Sequence, residues 1–449
     1  MRQNDEFSVL PFIREKKGIY MISVNEIRSR IRKREALEKL AWLYCCDEKT
    51  AESHVERYLH ALNGLEESFG IHECAALFSA PGRTEIGGNH TDHQHGCVVA
   101  GSVNIDMIAA VGPNTCRKIR LRSEGYEQCE ISLDDLAKRT EEEGTSASIL
   151  RGVCKAYEER GAELSGLDVY VISSVPGGSG ISSSAAFETL LGTVINELFM
   201  WGKKTDAIEI AKIGQWAENV YFGKPRGLMD QMASSAGGII SIDFKDPSAP
   251  AVKKIEFDLK KAGLSLCIIN SGADHADLTD EYAAVPEECR AVAEACGCEY
   301  LRDVPEELFY EKLPVIRKLC SDRAILRAIH FFDENERAKQ EAEAIENREY
   351  TRFLELVKES GHSSWEYLQN ITPAGEIHHQ AVALTIALAK KALQGKGAVR
   401  VHGGGFAGTV QAFVPEEMTE EFIAKMETAL GRGSCFNMAI RPAGGIRIL

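Results

Sequence analysis

The chain has 449 residues, too many for one core of ordinary size, so two domains are expected. Apolar residues make up 44% and charged residues 27%, the profile of a soluble globular protein. A formal net charge of −15 argues against nucleic acid or an anionic membrane as the main partner, so any nucleotide must be met in a local pocket of backbone amides, a few cations and a metal ion.

The first twenty residues carry Arg2, Asp5, Glu6, Arg14, Glu15, Lys16 and Lys17 and no apolar core of signal-peptide length. No run reaches the ~20 apolar residues of a membrane span, so a cytoplasmic protein is expected. The 13 cysteines are scattered, and neither Cys45–Cys46 nor Cys296–Cys298 has the spacer of a zinc or redox pair, which fits reduced thiols.

Residues 21–44 read as one amphipathic helix with Val24, Ile27, Ile31, Leu37, Leu40 and Tyr44 near one face. Arg28, Arg30, Arg32, Lys33 and Arg34 make its solvated face. A second helix covers Glu52–Phe69. Strands follow at Ala75–Ser79, Val98–Val111 and Ile119–Arg122, and Leu167–Pro176 alternates as a half-buried strand. Helices are expected from Ser182 through Leu198 and over Thr205–Tyr221, the latter capped by Thr205. Residues 246–265, with Pro247 and Pro250, form the crossing between domains. Strand Leu264–Ile269, helices Glu287–Ala295, Ala324–Glu346, Tyr350–Ser360 and Ile377–Leu393, and strand Thr409–Val414 complete the chain. The order lacks a regular βαβ alternation, which points to an α+β fold. The expected division is a helical extension over 1–50, a first domain over 51–250 and a second over 251–449.

The sharpest local signal runs from Val175 to Ala186: a strand ends, glycines follow, and a helix begins behind Ser182, Ser183 and Ser184. Unpaired amides and the positive end of the helix dipole favour an anion there, and the hydroxyls add donors for phosphate or a ligand for Mg²⁺. No lysine follows the glycines as a P-loop needs, and Ser183 stands where a dinucleotide fingerprint needs glycine. The competing reading is a glycine-rich turn with Ser182 as an N-cap.

Two further clusters flank this loop. Ala80–Gly96 packs Arg83, Glu85, Asn89, Asp92 and three histidines into one segment, suited to a hydroxyl-rich ligand such as a sugar. Zinc binding through His90, Asp92, His93 and His95, as in a hydrolase, and a plain polar surface loop are the alternatives. Gly223–Gly238 places Asp230 among small and apolar residues, where a carboxylate needs a partner. Near the end, His402–Gly408 is a glycine-rich turn before a strand.

In this order the segments resemble the GHMP kinases and, within them, the galactokinase family, from about Val55 to Leu449. Ala80–Asp92 is similar to the signature APGRxNLIGEHTD, Pro176–Ala186 to PxGxGLSSSA, Gly227–Gln231 to GIMDQ, and His402–Gly408 to TGGGFGG. The resemblance implies a two-domain fold with the site in the cleft between them. The first domain would be of the ribosomal-protein-S5-domain-2 type and the second a ferredoxin-like α+β domain. It implies transfer of the ATP γ-phosphoryl group to a small sugar, with galactose first and N-acetylgalactosamine or a pentose as alternatives, or else a non-catalytic sugar and ATP sensor. It places Gly178, Ser179, Gly180, Ile181, Ser182, Ser183 and Ser184 at the ATP phosphates, Ser123 at the nucleotide, and Ser184 and Glu218 at Mg²⁺. Asp230 would face the anomeric hydroxyl as base or orienter with Arg83 beside it, and Asn89, His90, Thr91, Asp92, Gly227 and Tyr282 would contact the sugar. Monomers are usual for the family. The chain departs from the pattern at Glu85, Asn89, His93, Asn104, His402, Ala407 and Val285–Pro286; Asn89 and Glu85 stand where the signature has glutamate and asparagine.

Overall fold

The computed structural model describes residues 21–177, 180–224, 226–273 and 278–449. In chain order it begins with β1 (Ile22–Ser23), α1 (Val24–Arg30), α2 (Arg34–Tyr44), α3 (Glu48–Phe69), β2 (Cys74–Gly87), β3 (Cys97–Pro113), β4 (Lys118–Ser123) and β5 (Cys129–Ser132). Next come α4 (Ser146–Glu159), β6 (Leu167–Ser173), α5 (Ser183–Phe199), α6 (Ala207–Trp216), α7 (Met229–Ala236), β7 (Ile239–Asp243) and β8 (Ala251–Ile255). The remainder is β9 (Leu264–Asn270), α8 (Thr279–Cys296), α9 (Glu306–Leu319), α10 (Asp322–Glu346), α11 (Tyr350–Ser363), α12 (Ala381–Leu393), β10 (Ala398–Val401), β11 (Thr409–Pro415), α13 (Thr419–Leu430), β12 (Cys435–Met438) and β13 (Ile446–Arg447).

The strands form two sheets. The larger runs β1-β2-β3-β6-β4-β5, with β7 on β3, β8 on β7 and β13 on β2; the smaller runs β10-β11-β9-β12 and is antiparallel throughout. The chain changes sheets between Ile255 and Leu264, and β13 then returns to the first sheet, where Ile446 pairs with Ser79.

Residues 21–44 are not one helix. Ile22 and Ser23 pair with β2, and the turn at residues 31–33 separates α1 from α2. The basic face stays largely exposed and carries ion pairs: Arg28 meets Glu66 at 2.6 Å, Arg34 meets Glu38 at 2.8 Å, and Arg30 pairs with Glu26. The helical extension is also part of the core. Leu40, Leu43 and Tyr44 are fully buried and pack with α3 against Ala75, Leu77, Ile108, Ala110, Tyr170 and Ile172.

That packing explains why β6 is buried on both faces from Leu167 to Ile172, where a half-buried strand was expected. Val169 and Val171 face the other core, with α4 and α5, while Tyr170 and Ile172 face α1–α3. The first of these cores extends through Leu266, Ile268 and Phe413 of the small sheet. The second face of the small sheet packs on α12 and α13 through Val410, Ala412, Ile386 and Phe422. Helix α6 starts at Ala207 because Asp206, not Thr205, accepts the Glu209 amide, at 2.9 Å; Thr205 instead bonds Asn196.

Candidate active site

The start of α5 lies against Arg83 of β2 and Asp230 of α7. Ser182 adopts a left-handed conformation (φ 60°), sparsely populated for a residue with a Cβ, and makes no capping bond. Its hydroxyl donates instead to Asp230 Oδ2 at 2.7 Å. The first amides of α5 therefore keep their outward donors, which fits an anion better than the capped turn does. Gly178 and Ser179 lie outside the described residues; Gly180 and Ile181 are held by Arg83, whose Nη1 donates to Gly180 O and whose amide donates to Ile181 O at 3.0 Å.

Arg83 and Asp230 form a two-pronged ion pair, Nε–Oδ1 at 2.5 Å and Nη2–Oδ2 at 2.7 Å. Burial works against the charge on Asp230, but the guanidinium and its hydrogen bonds outweigh it and bring the pKa down to about 2. This supplies the partner that the setting of Asp230 demanded.

The C-terminal glycine segment closes the same space. His402 is buried; burial, then Arg83 and Arg400, keeps it neutral. Its Nε2 accepts from the Glu85 amide at 3.4 Å and lies 3.1 Å from Thr84 Oγ1, which assigns the proton to Nδ1, facing Thr409 Oγ1 at 2.9 Å. Gly180 has φ +69°, and a Cβ there would stand 2.7 Å from Thr409 Oγ1 and 3.4 Å from His402 Nδ1. Gly180 thus lies where a first-sheet segment comes close to the second-sheet residues His402 and Thr409.

Three carboxyl groups, those of Asp92, Glu188 and Glu218, lie near enough to Asp230 to be raised by its charge. Burial, reinforced by the Asp230 charge, pushes Asp92 up to about 6. A Cβ on Gly227 would sit 2.1 Å from Asp92 Oδ2, so any larger residue there would have to displace that carboxylate. Glu218, on the π-helical turn Ala217–Phe222, is buried, and its Oε2 accepts from Gln231 Nε2 at 3.0 Å. The same amide reaches Glu188 Oε2 of α5 at 2.9 Å. Burial raises both carboxyls, Glu188 the more strongly, with Glu218 adding to it. Glu188 Oε1 and Gln231 Oε1 are buried without a protein partner. Glu188 was not anticipated, although it lies one helical turn after Ser184, a spacing that aligns the two on one face of α5.

The sugar-signature segment behaves unevenly. His90 (φ +59°) has Nε2 2.9 Å from Gly404 O. Thr91 is fully buried, its hydroxyl within reach of Gly88 O at 2.9 Å and Cys97 O at 2.6 Å, so it fastens the turn. Asn89 is fully buried: its Nδ2 donates to Glu85 at 2.9 Å and Gly403 O at 2.7 Å, and its Oδ1 accepts from Ser364 and Asn370. Its side chain already has four protein partners in the structure, so it works as a strut behind the site. Tyr282 donates its hydroxyl to Gly405 O at 2.8 Å and stacks edge-on against Phe406. Ser123 ends β4 opposite Val171, on the strand beside the approach to the glycine loop. Of the three histidines, His90 and His93 pack edge-on with ring centroids 5.6 Å apart, His90 turning toward Gly404, while His95 stacks separately on Tyr300 at 3.7 Å. Among the described residues, no three His, Cys, Asp or Glu side chains are grouped to hold a metal ion.

Ser184 and Glu218, the residues expected to hold Mg²⁺, would both offer it oxygen, the donor type this ion prefers. The orphaned buried oxygens of Glu188 and Gln231 behind Glu218 fit a wall built to face a charged ligand.

The family model of the GHMP kinases N terminal domain matches residues 148–238, and that of the galactokinase galactose-binding signature matches residues 64–113. The fold is similar to Lactococcus lactis galactokinase, solved in complex with galactose, with TM-score 0.74 and 25% identity over 86% of this chain and 99% of that one. It is also similar to the mevalonate kinase of Methanococcus jannaschii, with TM-score 0.56 and 15% identity over 83% of this chain and 99% of that one. Fold and site together define a GHMP kinase, an α+β phosphotransferase with two sheets flanking one site. Over 356 residues the chain is 32% identical to the galactokinase of Streptomyces coelicolor, covering 78% of this chain and 87% of that protein. The chain belongs to the galactokinase family and is a sugar kinase.

Proposed function

We propose that the protein transfers the γ-phosphoryl group of ATP to the anomeric hydroxyl of D-galactose, giving ADP and α-D-galactose 1-phosphate. The observation that carries this reading is the Asp230 carboxylate, held by two prongs of Arg83 and by Ser182 at the mouth of the α5 amides. A hydroxyl approaching Asp230 is thereby aimed at a phosphate on those amides, and positioning is what phosphoryl transfer most needs. With its pKa near 2, Asp230 is a weak base, so it orients the hydroxyl and takes the proton late, as the new bond to phosphorus forms.

Phosphate oxygens would lie on the amides and hydroxyls of Gly178–Ser184, with Ser123 at the nucleotide. Ser184 and Glu218 would hold Mg²⁺, which when bound neutralises charge on the β- and γ-phosphates. Asp92, His90, Tyr282 and the Gly227 backbone would line the sugar pocket, with Asn89 and Thr91 behind it. The chain would divide into an extension over 1–50 and domains over 51–250 and 251–449, acting as a cytoplasmic monomer. Among the described residues no helix is long and apolar enough to cross a membrane.

The test is ADP release with Mg²⁺-ATP across galactose, N-acetylgalactosamine and pentoses, with Asp230→Asn as control. Galactose-dependent turnover lost in the variant supports the reading. Preference for another sugar moves the substrate, and binding without turnover makes the protein a sensor.

A further inference from the structure

Every nitrogen of the Arg83 guanidinium is already bonded to the protein, Nε and Nη2 to Asp230 and Nη1 to Gly180 O. The glycine loop carries no lysine either. Charge on a transferring phosphoryl group therefore falls to another cation of the chain, alongside the metal ion. The one placed for it is Arg226, in the segment between the π-helical turn and α7. Its backbone is pinned on both sides. The amide donates to Asn219 Oδ1 at 2.8 Å, and the carbonyl accepts from Gln215 Nε2 at 3.0 Å and Asn219 Nδ2 at 3.3 Å.

From that fixed root the side chain, 36% exposed, reaches over the site. Its Nε stands 3.4 Å from Glu218 Oε1, and its Nη1 stands 4.0 Å from Asp230 Oδ2, the oxygen that also accepts from Ser182 and Arg83. Its charge opposes the rise that burial imposes on Glu188 and Glu218, and on Tyr282 of α8. Both contacts are long beside the 2.5 and 2.7 Å of the Arg83 pair, so the head of Arg226 is lightly held. With a metal cation on Glu218, sharing that carboxylate would bring like charges together in a site that excludes water. A phosphate on the α5 amides would lie between Ser182 and Arg226, which flank the same Asp230 oxygen. Lys224, the other cation of the segment, bears on Glu218 and serves as the comparison.

We propose that Arg226 is a catalytic residue that moves from Glu218 onto the γ-phosphate of ATP and stabilises the phosphoryl group during transfer. This rests on the phosphoryl-transfer reading given above. As the sugar oxygen bonds to the γ-phosphorus, the bond from that phosphorus to the bridging oxygen of ADP breaks, and the hydroxyl proton passes to Asp230. Negative charge spreads over the γ-oxygens and the bridging oxygen, and a planar two-pronged guanidinium matches that spread better than an ammonium does. ADP has no γ-phosphate and leaves Arg226 with its carboxylates.

The experiment compares Arg226→Gln, Arg226→Lys and Lys224→Gln in the full chain, measuring melting temperature, steady-state kinetics, and calorimetric binding of Mg²⁺-ATP and Mg²⁺-ADP. R226Q is expected to melt close to the wild type, to bind ATP about tenfold more weakly with ADP within about threefold, and to lose roughly 10²- to 10³-fold in kcat. R226K keeps the charge and recovers ATP binding, with kcat at no more than about a tenth of the wild-type value. K224Q stays within about threefold throughout. The inference is overturned if R226Q weakens ATP and ADP equally, if R226K matches the wild-type kcat, or if K224Q reproduces R226Q. Sugar turnover that survives intact in R226Q overturns this inference alone and leaves the phosphoryl-transfer reading standing. A wild-type chain without sugar turnover, together with unchanged ATP binding in R226Q, overturns both.

Discussion

Asn89 donates its amide to the Glu85 carboxylate at 2.9 Å, and these two residues carry each other's side-chain type relative to the signature they resemble. The pattern has asparagine first and glutamate fourth after it; here the glutamate comes first. Because the residues touch, the exchange keeps one carboxylate and one amide in the pair and moves the charge toward Arg400, which pairs with Glu85 and is fully buried. Burial still pushes Glu85 up to about 7 against the pull of Arg400.

Exchanging the pair back should therefore be gentler than either single change. Glu85→Asn strands the Arg400 guanidinium and is expected to cost roughly 3–5 kcal/mol, the range for breaking a buried ion pair. Asn89→Glu crowds a second carboxyl beside the first. The double variant should recover at least half of the summed loss in urea unfolding, and simple additivity would show that the two sites are not coupled.

Asp230→Asn should lower kcat by roughly 10²–10⁴ with modest change in sugar KM, since the carboxylate acts on the reacting hydroxyl. Arg83→Lys, which keeps the charge but loses the fork, should lower kcat too. Steady-state kinetics on variants with checked melting curves reads this; an Arg83→Lys enzyme with wild-type kcat would refute the role of the two-pronged pair.

Activity and stability should part company in acid. Asp92, raised to about 6, loses its charge as pH falls through 6, so kcat/KM for sugar should show an acid limb with a midpoint near there, absent from the residual activity of Asp92→Asn. The fold should not fail at that point. Asp92 and Glu85 bind protons more tightly folded than unfolded and so stabilise as pH falls toward about 4. His54 and His90, both lowered to about 4 by burial, act in the opposite sense over the same window. Asp106, Asp230 and Glu334 sit near 2, so the stability they contribute above about pH 4 is lost between there and 2. Circular dichroism should place acid unfolding below about pH 4, well under the activity limb.

Glu218→Gln should raise the Mg²⁺ concentration for half-maximal rate at least roughly tenfold, while Glu188→Gln, acting through the Gln231 amide, should do so less. A magnesium titration at fixed ATP distinguishes them, and an equal effect of both would place Glu188 at the metal itself.

What the sequence made legible was whatever is encoded locally. Glycine and serine density from Val175 to Ala186 marked the loop, and the small-residue setting of Asp230 pointed to a buried partner. Partners far apart in sequence were not readable: Glu85 and Arg400 lie 315 residues apart, and nothing local to either announces the other. Helix boundaries failed where two signals compete over one residue, as at Thr205 and Asp206, and where a polar turn interrupts an apolar stripe, as at residues 31–33. Helix α4 escaped notice although Thr145 caps it on the Ser148 amide and Ile149, Val153 and Tyr157 keep a helical period. In α9, Pro314 inside the helix hides the period. Glu188 was within reach of a four-residue count from Ser184.

The return of the chain to its first sheet has a bearing on synthesis. Strand β2 is completed by β13, and the buried Asp106 carboxylate by Arg441, both of which leave the ribosome long after β8. Until then the nascent first sheet carries an unmatched edge beside Ser79 and a buried carboxylate short of one cation. An assembly intermediate ending near Ile255 is therefore expected to be compact and prone to chaperone capture until the last strand docks.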